Sequence, residues 1–129
     1  MADLNVRIIH HKDFLKTTAS GELDLAQSKQ ILLRLATLNA PPNDYDVLLD
    51  VRGATPRLTL FDIAQLVEEM TGHRASFRNK LAILSQQGPA FEPGEFMELY
   101  AHNRGFSVRV FDNFEDAILW LATTSESIQ

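Results

Sequence analysis

Short apolar segments and longer amphipathic segments alternate along this chain, and the alternation limits the fold more than any other feature of the sequence. YDVLLDV at 45–51 and KLAILSQ at 80–86 have the continuous apolar character of strands that are buried on both faces of a sheet. In the longer segments, apolar residues recur every three or four positions, which is typical of helices with one buried face. We therefore predict an α/β domain with a mainly parallel sheet and crossover helices.

The order of these segments predicts the element order ββαβαβαβα. NVRIIH at 5–10 and FLKTTAS at 14–20 are separated by only three residues, so we expect an antiparallel hairpin at one edge of the sheet. Pro41 and Pro42 must end the first helix, because proline lacks a backbone donor and restricts the residue that precedes it.

The sequence also indicates helix starts and buried helix faces. Three helices are expected to begin after a capping side chain that is followed three positions later by another polar residue: Asp24 with Gln27, Thr59 with Asp62, and Asn113 with Asp116. The segment before the third helix, QGPAFEPG, is rich in proline and glycine and is predicted to form turns. The buried faces of the later helices are expected to include Leu60, Phe96, Leu99, Tyr100 and Phe114.

Composition narrows the class of protein. The 129 residues carry a net charge of −5, which disfavours binding to nucleic acid or to anionic membrane surfaces, because both depend on a basic protein surface. No stretch approaches the roughly 18 apolar residues that a membrane span requires. Cysteine is absent, which excludes disulfides and thiolate chemistry and suits a reducing cytoplasm. We expect a soluble cytoplasmic protein with a single domain over residues 1–129 and a fraying polar tail at 122–129.

The sequence contains no constellation that is typical of a catalytic or metal site. The Gly-x-Ser-x-Gly motif and the phosphate-binding glycine-rich loops are absent, and Ser85, at the end of a predicted strand, is the serine to consider first as a nucleophile. His10 and His11 are adjacent on a predicted strand and would point to opposite faces, so they cannot chelate one ion together. We therefore predict a noncatalytic protein without a metal or cofactor.

Three segments resemble the STAS domains, which share the fold of the anti-sigma factor antagonists. They are GELDLAQSKQILLRL, in which a Gly-Glu-Leu-Asp turn leads into the first helix, then DVLLDVRGATPRL, and finally VRVFDNFEDAILWL. The last segment is similar to the SpoIIAA-like branch of that superfamily, also described as STAS/SEC14-like. Together the segments span residues 21–121. The resemblance implies a bacterial regulatory protein that binds another protein and carries a phosphoacceptor turn before its second helix.

The phosphoacceptor turn departs from the family pattern in this chain. Family members that work by phosphorylation carry an Asp-Ser-Ser-Gly-like or Asp-Thr-Ser-Gly-like turn, and counting from Asp50 without gaps places that turn over Leu58, Thr59, Leu60 and Phe61. Thr59 has the only hydroxyl among these four residues, and Leu60 stands at the usual acceptor position. Partner switching by serine phosphorylation therefore cannot be carried over to this chain.

Thr59 leaves two interpretations open. As the first residue of a Thr-x-x-Asp motif, it is expected to cap the second helix, and this role needs no phosphate. A phosphate at Thr59 would also be stabilised by the helix N-terminus and by Arg52 or Arg57. Thr55 is the alternative acceptor.

The first functional hypothesis is a noncatalytic regulatory module that binds another protein through the turn and second helix. A homodimer is the alternative assembly. The residues expected to contact the partner are Arg52, Arg57, Leu60 and Phe61.

The second hypothesis is a small apolar-ligand or lipid-headgroup binding domain, which the SEC14-like resemblance implies. Its pocket would lie between the third helix and the sheet and would be lined by Phe91, Phe96, Met97 and Tyr100. A cavity beneath that helix would favour ligand binding, whereas a filled core with exposed residues at the start of the second helix would favour a protein partner.

Overall fold

The strands and helices of the computed structural model follow the predicted order. The structure describes residues 3–9, 14–86 and 92–123. In chain order its elements are β1 (Asp3–Ile9), β2 (Phe14–Leu23), α1 (Leu25–Leu38), β3 (Asp46–Pro56), α2 (Leu60–Thr71), a short 3₁₀ helix (Arg74–Ser76), β4 (Lys80–Leu84), α3 (Glu92–His102), β5 (Ser107–Phe111) and α4 (Phe114–Ala122). The predicted order ββαβαβαβα is confirmed.

The described strands form one sheet in the order β1-β2-β3-β4-β5. β1 and β2 are antiparallel, with Asp3 opposite Ser20 and Ile9 opposite Phe14, and this confirms the hairpin edge. β2, β3, β4 and β5 run parallel to one another. Their carboxyl ends therefore lie along the same side of the sheet, which we call the carboxyl edge.

Apolar side chains of the central strands alternate between two cores. On one face, Val47, Leu81 and Ile83 pack in a core with α1, α2 and α3. On the other face, Leu48 and Leu84 pack in a second core with α4, which lies over β4 and β5. Burial on both faces explains why these strands have a nearly continuous apolar sequence.

β2 and β3 extend further than predicted. Residues 21–23 pair with residues 54–56, so the first three residues of the Gly-Glu-Leu-Asp segment end a strand, and Asp24 caps α1. Gly21 has a φ of +82°, a conformation that favours glycine, and it follows a register irregularity between Thr18 and Ser20. Neither segment is apolar enough to predict a strand by itself, because each is held in strand geometry by pairing with the other.

α3 begins earlier than predicted and presents a different face to the core. Pro93 lies in its first turn, where a missing backbone donor is tolerated. Leu99, which was expected to be buried, is 61% exposed, whereas Ala101 is fully buried. Because α3 has apolar residues on neighbouring faces, the periodicity could not predict which face would be buried.

The first residues of α2 and α4 are more exposed than expected. Leu60 is 54% exposed and Phe114 is 36% exposed. The buried faces of these helices begin one turn later, at Ile63 and Ala117. Apolar periodicity predicts the direction in which a side chain points, but the first turn of a helix can project beyond the sheet that buries the rest.

Several sequence predictions lie outside the described residues. They concern His10 and His11, Phe91, the predicted turns at 87–91 and the polar tail at 124–129.

Gly94, in the first turn of α3, packs closely against β5. A Cβ atom at this position would lie 3.0 Å from both methyl groups of Val110. We expect Gly94→Ala to lower the free energy of unfolding by about 1–2 kcal/mol through overpacking, although alanine usually stabilises a helix relative to glycine. Urea denaturation measures this change.

Gly72→Ala is the matched control. Gly72 has a φ of −76°, which alanine adopts readily, and its added Cβ would meet no atom closer than 3.4 Å. We expect this control to change stability by less than about 0.5 kcal/mol. Gly94→Ala combined with Val110→Ala should cost less than the sum of the single changes. A Gly94→Ala variant as stable as the wild type would contradict the close packing.

Candidate functional site

The starts of three helices gather at the carboxyl edge of the sheet. α1, α2 and α3 each follow the carboxyl end of a strand, namely β2, β3 and β4. The segments that connect strands to helices commonly carry binding residues on a rigid scaffold. The residues expected to bind a partner or accept a phosphate also lie at or near this edge, which is therefore the candidate functional site.

Thr59 caps α2 through a complete capping box. Its hydroxyl accepts a hydrogen bond from the backbone N–H of Asp62 at 3.0 Å, and its own backbone N–H donates to Asp62 Oδ2 at 3.0 Å. This reciprocal pair satisfies two donors that would otherwise lack partners at the helix start. The structure thus contains the cap that the Thr-x-x-Asp motif predicts, and it holds the first turn of α2 in a defined geometry.

Residues 57–61, which we call the α2 tip, present apolar and charged side chains to solvent. Phe61 is 72% exposed and Leu60 is exposed beside it. Arg57 forms an ion pair with Glu22 of β2, with 3.1 Å between Nη2 and Oε2, and both side chains are largely exposed. The α2 tip thus combines an exposed aromatic side chain with a neighbouring ion pair.

Arg52 lies on β3 and pairs with Asp50. Along β3, Leu48 faces the α4 side of the sheet, so Asp50 and Arg52 face that side as well. The Arg52 guanidinium donates from Nε to Asp50 Oδ1 at 3.1 Å and from Nη2 to Asp50 Oδ2 at 3.0 Å. Arg52 is thus paired with Asp50, whereas Arg57 is paired with Glu22.

Thr55 lies on β3 and not in a turn. It is exposed and stands opposite Glu22 in the register of β2 and β3. Its neighbour Ala54 packs against the three-helix core, so Thr55 points away from that core. A phosphate on Thr55 would therefore not sit at the start of α2.

Asp50 is a buried carboxylate that Arg52 keeps ionised. Burial by itself raises the pKa of Asp50, but hydrogen bonds from the side chain and backbone N–H of Arg52 and the charge of Arg52 outweigh burial and lower that pKa below 3.8. Lys16 on β2 lowers it further. The pair joins two residues in the middle of β3, on the α4 side of the sheet.

The lowered pKa of Asp50 predicts that part of the free energy of unfolding is lost in acid. Its pKa is lower in the folded than in the unfolded protein, so ionised Asp50 stabilises the fold above pH 3.8, and this stabilisation is lost as the pH falls through the lowered value. We expect the unfolding free energy of the wild type to fall more steeply between about pH 5 and pH 2 than that of Asp50→Asn.

Glu22→Gln provides the control for this measurement, because the ion pair that it removes is exposed and contributes little. It should keep the wild-type pH dependence in urea denaturation. Equal pH dependence in the wild type and Asp50→Asn would show that the pair with Arg52 does not contribute.

An apolar cavity of about 120 Å³ lies between the sheet and the three helices α1, α2 and α3. Its walls come from these helices and from β3 and β4. They include Leu35, Val51, Ile63, Met70, Ile83 and Met97. Among the described residues that line the cavity, only Ser28 and Ser85 have polar side chains.

Of the residues predicted to line a pocket beneath α3, Met97 lines the cavity, whereas Phe96 and Tyr100 do not. Phe96 stacks on Tyr100 with 5.7 Å between ring centroids. Met97, Tyr100 and Ala101 all contact the three-helix core, and of these Met97 reaches the cavity. Phe91 lies outside the described residues.

Tyr100 belongs to a polar network that joins α2 to α3. Its hydroxyl donates to Glu68 Oε2 at 3.2 Å and accepts from Arg104 Nη2 at 2.8 Å. Arg104 Nε also donates to Glu68 Oε2 at 2.6 Å, and its guanidinium lies 4.1 Å from the centre of the Tyr100 ring. These contacts give Tyr100 a role in positioning two walls of the cavity.

Ser85, the serine considered as a nucleophile, is buried at the end of β4 and lines the cavity. Its backbone N–H donates to the Phe111 carbonyl at 2.8 Å. No group of three or more His, Asp or Glu side chains in the described ranges is arranged to hold a metal ion. In the same ranges, no helix is both long and apolar enough to cross a membrane.

Two solved structures resemble this chain over nearly its full length. One is an uncharacterised protein of the DUF3478 family with a SpoIIAA-like fold from Shewanella loihica, which is 17% identical, with a TM-score of 0.63 and coverage of 94% of each chain. This chain has the SpoIIAA-like fold. The other is an anti-sigma factor antagonist from Mycobacterium paratuberculosis, 16% identical, with a TM-score of 0.57 and coverage of 95% of this chain and 96% of that chain.

The fold implied by the STAS and SpoIIAA-like sequence resemblance is thereby confirmed. At this identity, the structural likeness establishes the fold and leaves the function to be argued from the site. No protein-family model and no curated protein matches the chain.

Proposed function

We propose that this protein is a noncatalytic regulatory module of the bacterial cytoplasm that binds another protein through the α2 tip. The observation that carries the proposal is the exposure of Leu60 and Phe61 on a helix start that a capping box holds in place. A similar fold in an anti-sigma factor antagonist supports a regulatory role.

The side chains of the α2 tip suit a protein partner. Aromatic and arginine side chains contribute most often to the energetic centre of protein interfaces, and Phe61 and Arg57 supply one of each. Glu22 and Arg57 provide a negative and a positive charge beside the apolar residues of the α2 tip. A partner with an apolar pocket flanked by complementary charges would bury Phe61 without leaving either charge unpaired.

We expect the double change Leu60→Ala and Phe61→Ala to weaken partner binding by about thirtyfold, because truncating a buried aromatic anchor typically costs about 2 kcal/mol. The measurement is affinity purification from an extract of the host with immobilised wild type and variant, followed by quantitative mass spectrometry. The proteins retained by the wild type are then tested individually for direct binding.

Leu119→Ala is the matched control, because Leu119 is an equally exposed apolar residue on α4, at the other face of the sheet. It should retain every protein that the wild type retains. Sedimentation of the wild type and the double variant tests for a second copy as the partner: a dimer that the double variant loses would place that copy at the α2 tip. Partners retained unchanged by the double variant would overturn the proposal.

We further propose that phosphorylation of Thr59 regulates this surface. A phosphate on Thr59 would add negative charge at the start of α2, where the helix dipole and the exposed Arg57 favour it. It would also stand beside the Asp62 carboxylate that completes the capping box. Asp50 holds Arg52 through two hydrogen bonds, so the more exposed Arg57 is the cation that would pair with the phosphate.

We expect a phosphate on the Thr59 peptide when the protein is isolated from its own host and its peptides are fragmented by mass spectrometry. Thr55 is the alternative acceptor, and the fragment ions distinguish the two positions. A phosphate on Thr59 should weaken binding of the α2 tip to its partner by changing its charge. A protein that is unmodified at both threonines under all growth conditions would leave Thr59 as a helix cap alone.

The second candidate function is binding of a small apolar ligand, and the cavity beneath α3 is the observation that favours it. Well-packed protein cores contain few voids larger than a water molecule, and the apolar space of about 120 Å³ beneath the three helices exceeds that size. The lining favours an apolar ligand over a lipid headgroup, because its polar groups in the described residues are limited to two serine side chains.

A further inference from the structure

The polar residues of the cavity lie at one end of it. Ser28 is in the first turns of α1 and Ser85 follows β4, so both belong to the carboxyl edge of the sheet. Met70, near the end of α2, and Leu81, near the start of β4, line the opposite end. The direction of the strands thus divides the cavity into an apolar end and an end with two hydroxyl groups.

We propose that the cavity binds a compact neutral molecule with an apolar body and one hydrogen-bonding group. The body would lie against Met70 and Leu81, and the polar group would face Ser28 and Ser85 at the carboxyl edge. This proposal rests on the second candidate function and specifies the chemical class of its ligand.

The volume sets the size of the ligand. An engineered cavity of roughly 150 Å³ with aliphatic and aromatic walls stays dry in another protein and binds benzene or xenon. The cavity here has about 120 Å³ and walls of the same kind, so it accommodates a molecule of about one six-membered ring. A water molecule needs two to four polar partners, which the apolar end does not offer.

The lining also sets the charge of the ligand. Among the described residues around the cavity, none has an ionisable side chain. A carboxylate or ammonium group would lose its hydration without gaining a counter-charge, and this makes a charged ligand unfavourable. A hydroxyl, carbonyl or amide group needs only the hydrogen bonds that a serine side chain can donate or accept.

Benzene and phenol test the proposal as a matched pair of probes. The readout is the NMR shift of the methyl groups of Ile31, Ile63 and Ile83, which line the cavity, with Ile118 on the other face of the sheet as the internal control. We expect both probes to shift the three lining methyl groups and to leave Ile118 unchanged. Phenol should bind within a few-fold of benzene, because the serine side chains replace the hydrogen bonds that its hydroxyl loses.

Two variants locate the binding site. Ser28→Ala combined with Ser85→Ala should weaken phenol binding by roughly tenfold and leave benzene binding unchanged, since a buried hydroxyl without a partner is costly. Ser28→Leu should fill the cavity and abolish both, whereas Gln30→Leu, on the exposed side of the same helix, should abolish neither. If Ser28→Leu does not fold, the wild-type methyl shifts decide the location.

The outcomes separate the proposal from the functions on which it builds. If benzene binds and phenol binds at least a hundredfold more weakly, the polar end is wrong and an apolar-ligand site remains. If neither probe shifts the lining methyl groups, both the proposed ligand class and the apolar-ligand function are overturned. Neither result changes the test at the α2 tip, which uses residues outside the cavity.

Discussion

A parallel sheet has to be covered on both faces, and this chain does so with α1, α2 and α3 on one face and α4 on the other. The strands follow one another in sequence order, so right-handed crossovers bring the first three helices to the same face. α4 follows the last described strand, has no crossover to make and packs on the opposite face. Three helices sharing one face leave the space between them as the cavity and bring their first turns to the carboxyl edge.

The type and order of the elements could be predicted because period and capping are local properties of the sequence. The ends of β2 and β3 could not, since residues 21–23 and 54–56 are strands only through pairing with each other. The buried face of α3 was also beyond prediction from periodicity. Phe96 and Met97 are neighbours of similar hydrophobicity, and only packing against β5 and α2 decides which of them points inward.

The two candidate sites differed in how far the sequence could predict them. The cap at Thr59 and the prominence of Phe61 follow from a local motif and its position at a helix start. The grouping of Arg52 with these residues stays a prediction. Its pairing with Asp50 could not be predicted, because it depends on the direction of each side chain along β3. The cavity could not be predicted from the sequence, since buried faces have the same apolar pattern whether the space between them is filled or empty.

α2 belongs to both candidate sites: Ile63 and Met70 line the cavity, while Leu60 and Phe61 of the same helix face solvent. An occupant of the cavity that shifts this helix would change the affinity for a partner at its tip. Thermodynamic reciprocity then requires the partner to change the affinity for the occupant by the same factor. An occupant that fits without moving α2 would stabilise the folded protein and leave partner affinity unchanged. The fit of one small molecule would thus decide whether binding in the cavity changes the affinity of the α2 tip for its partner.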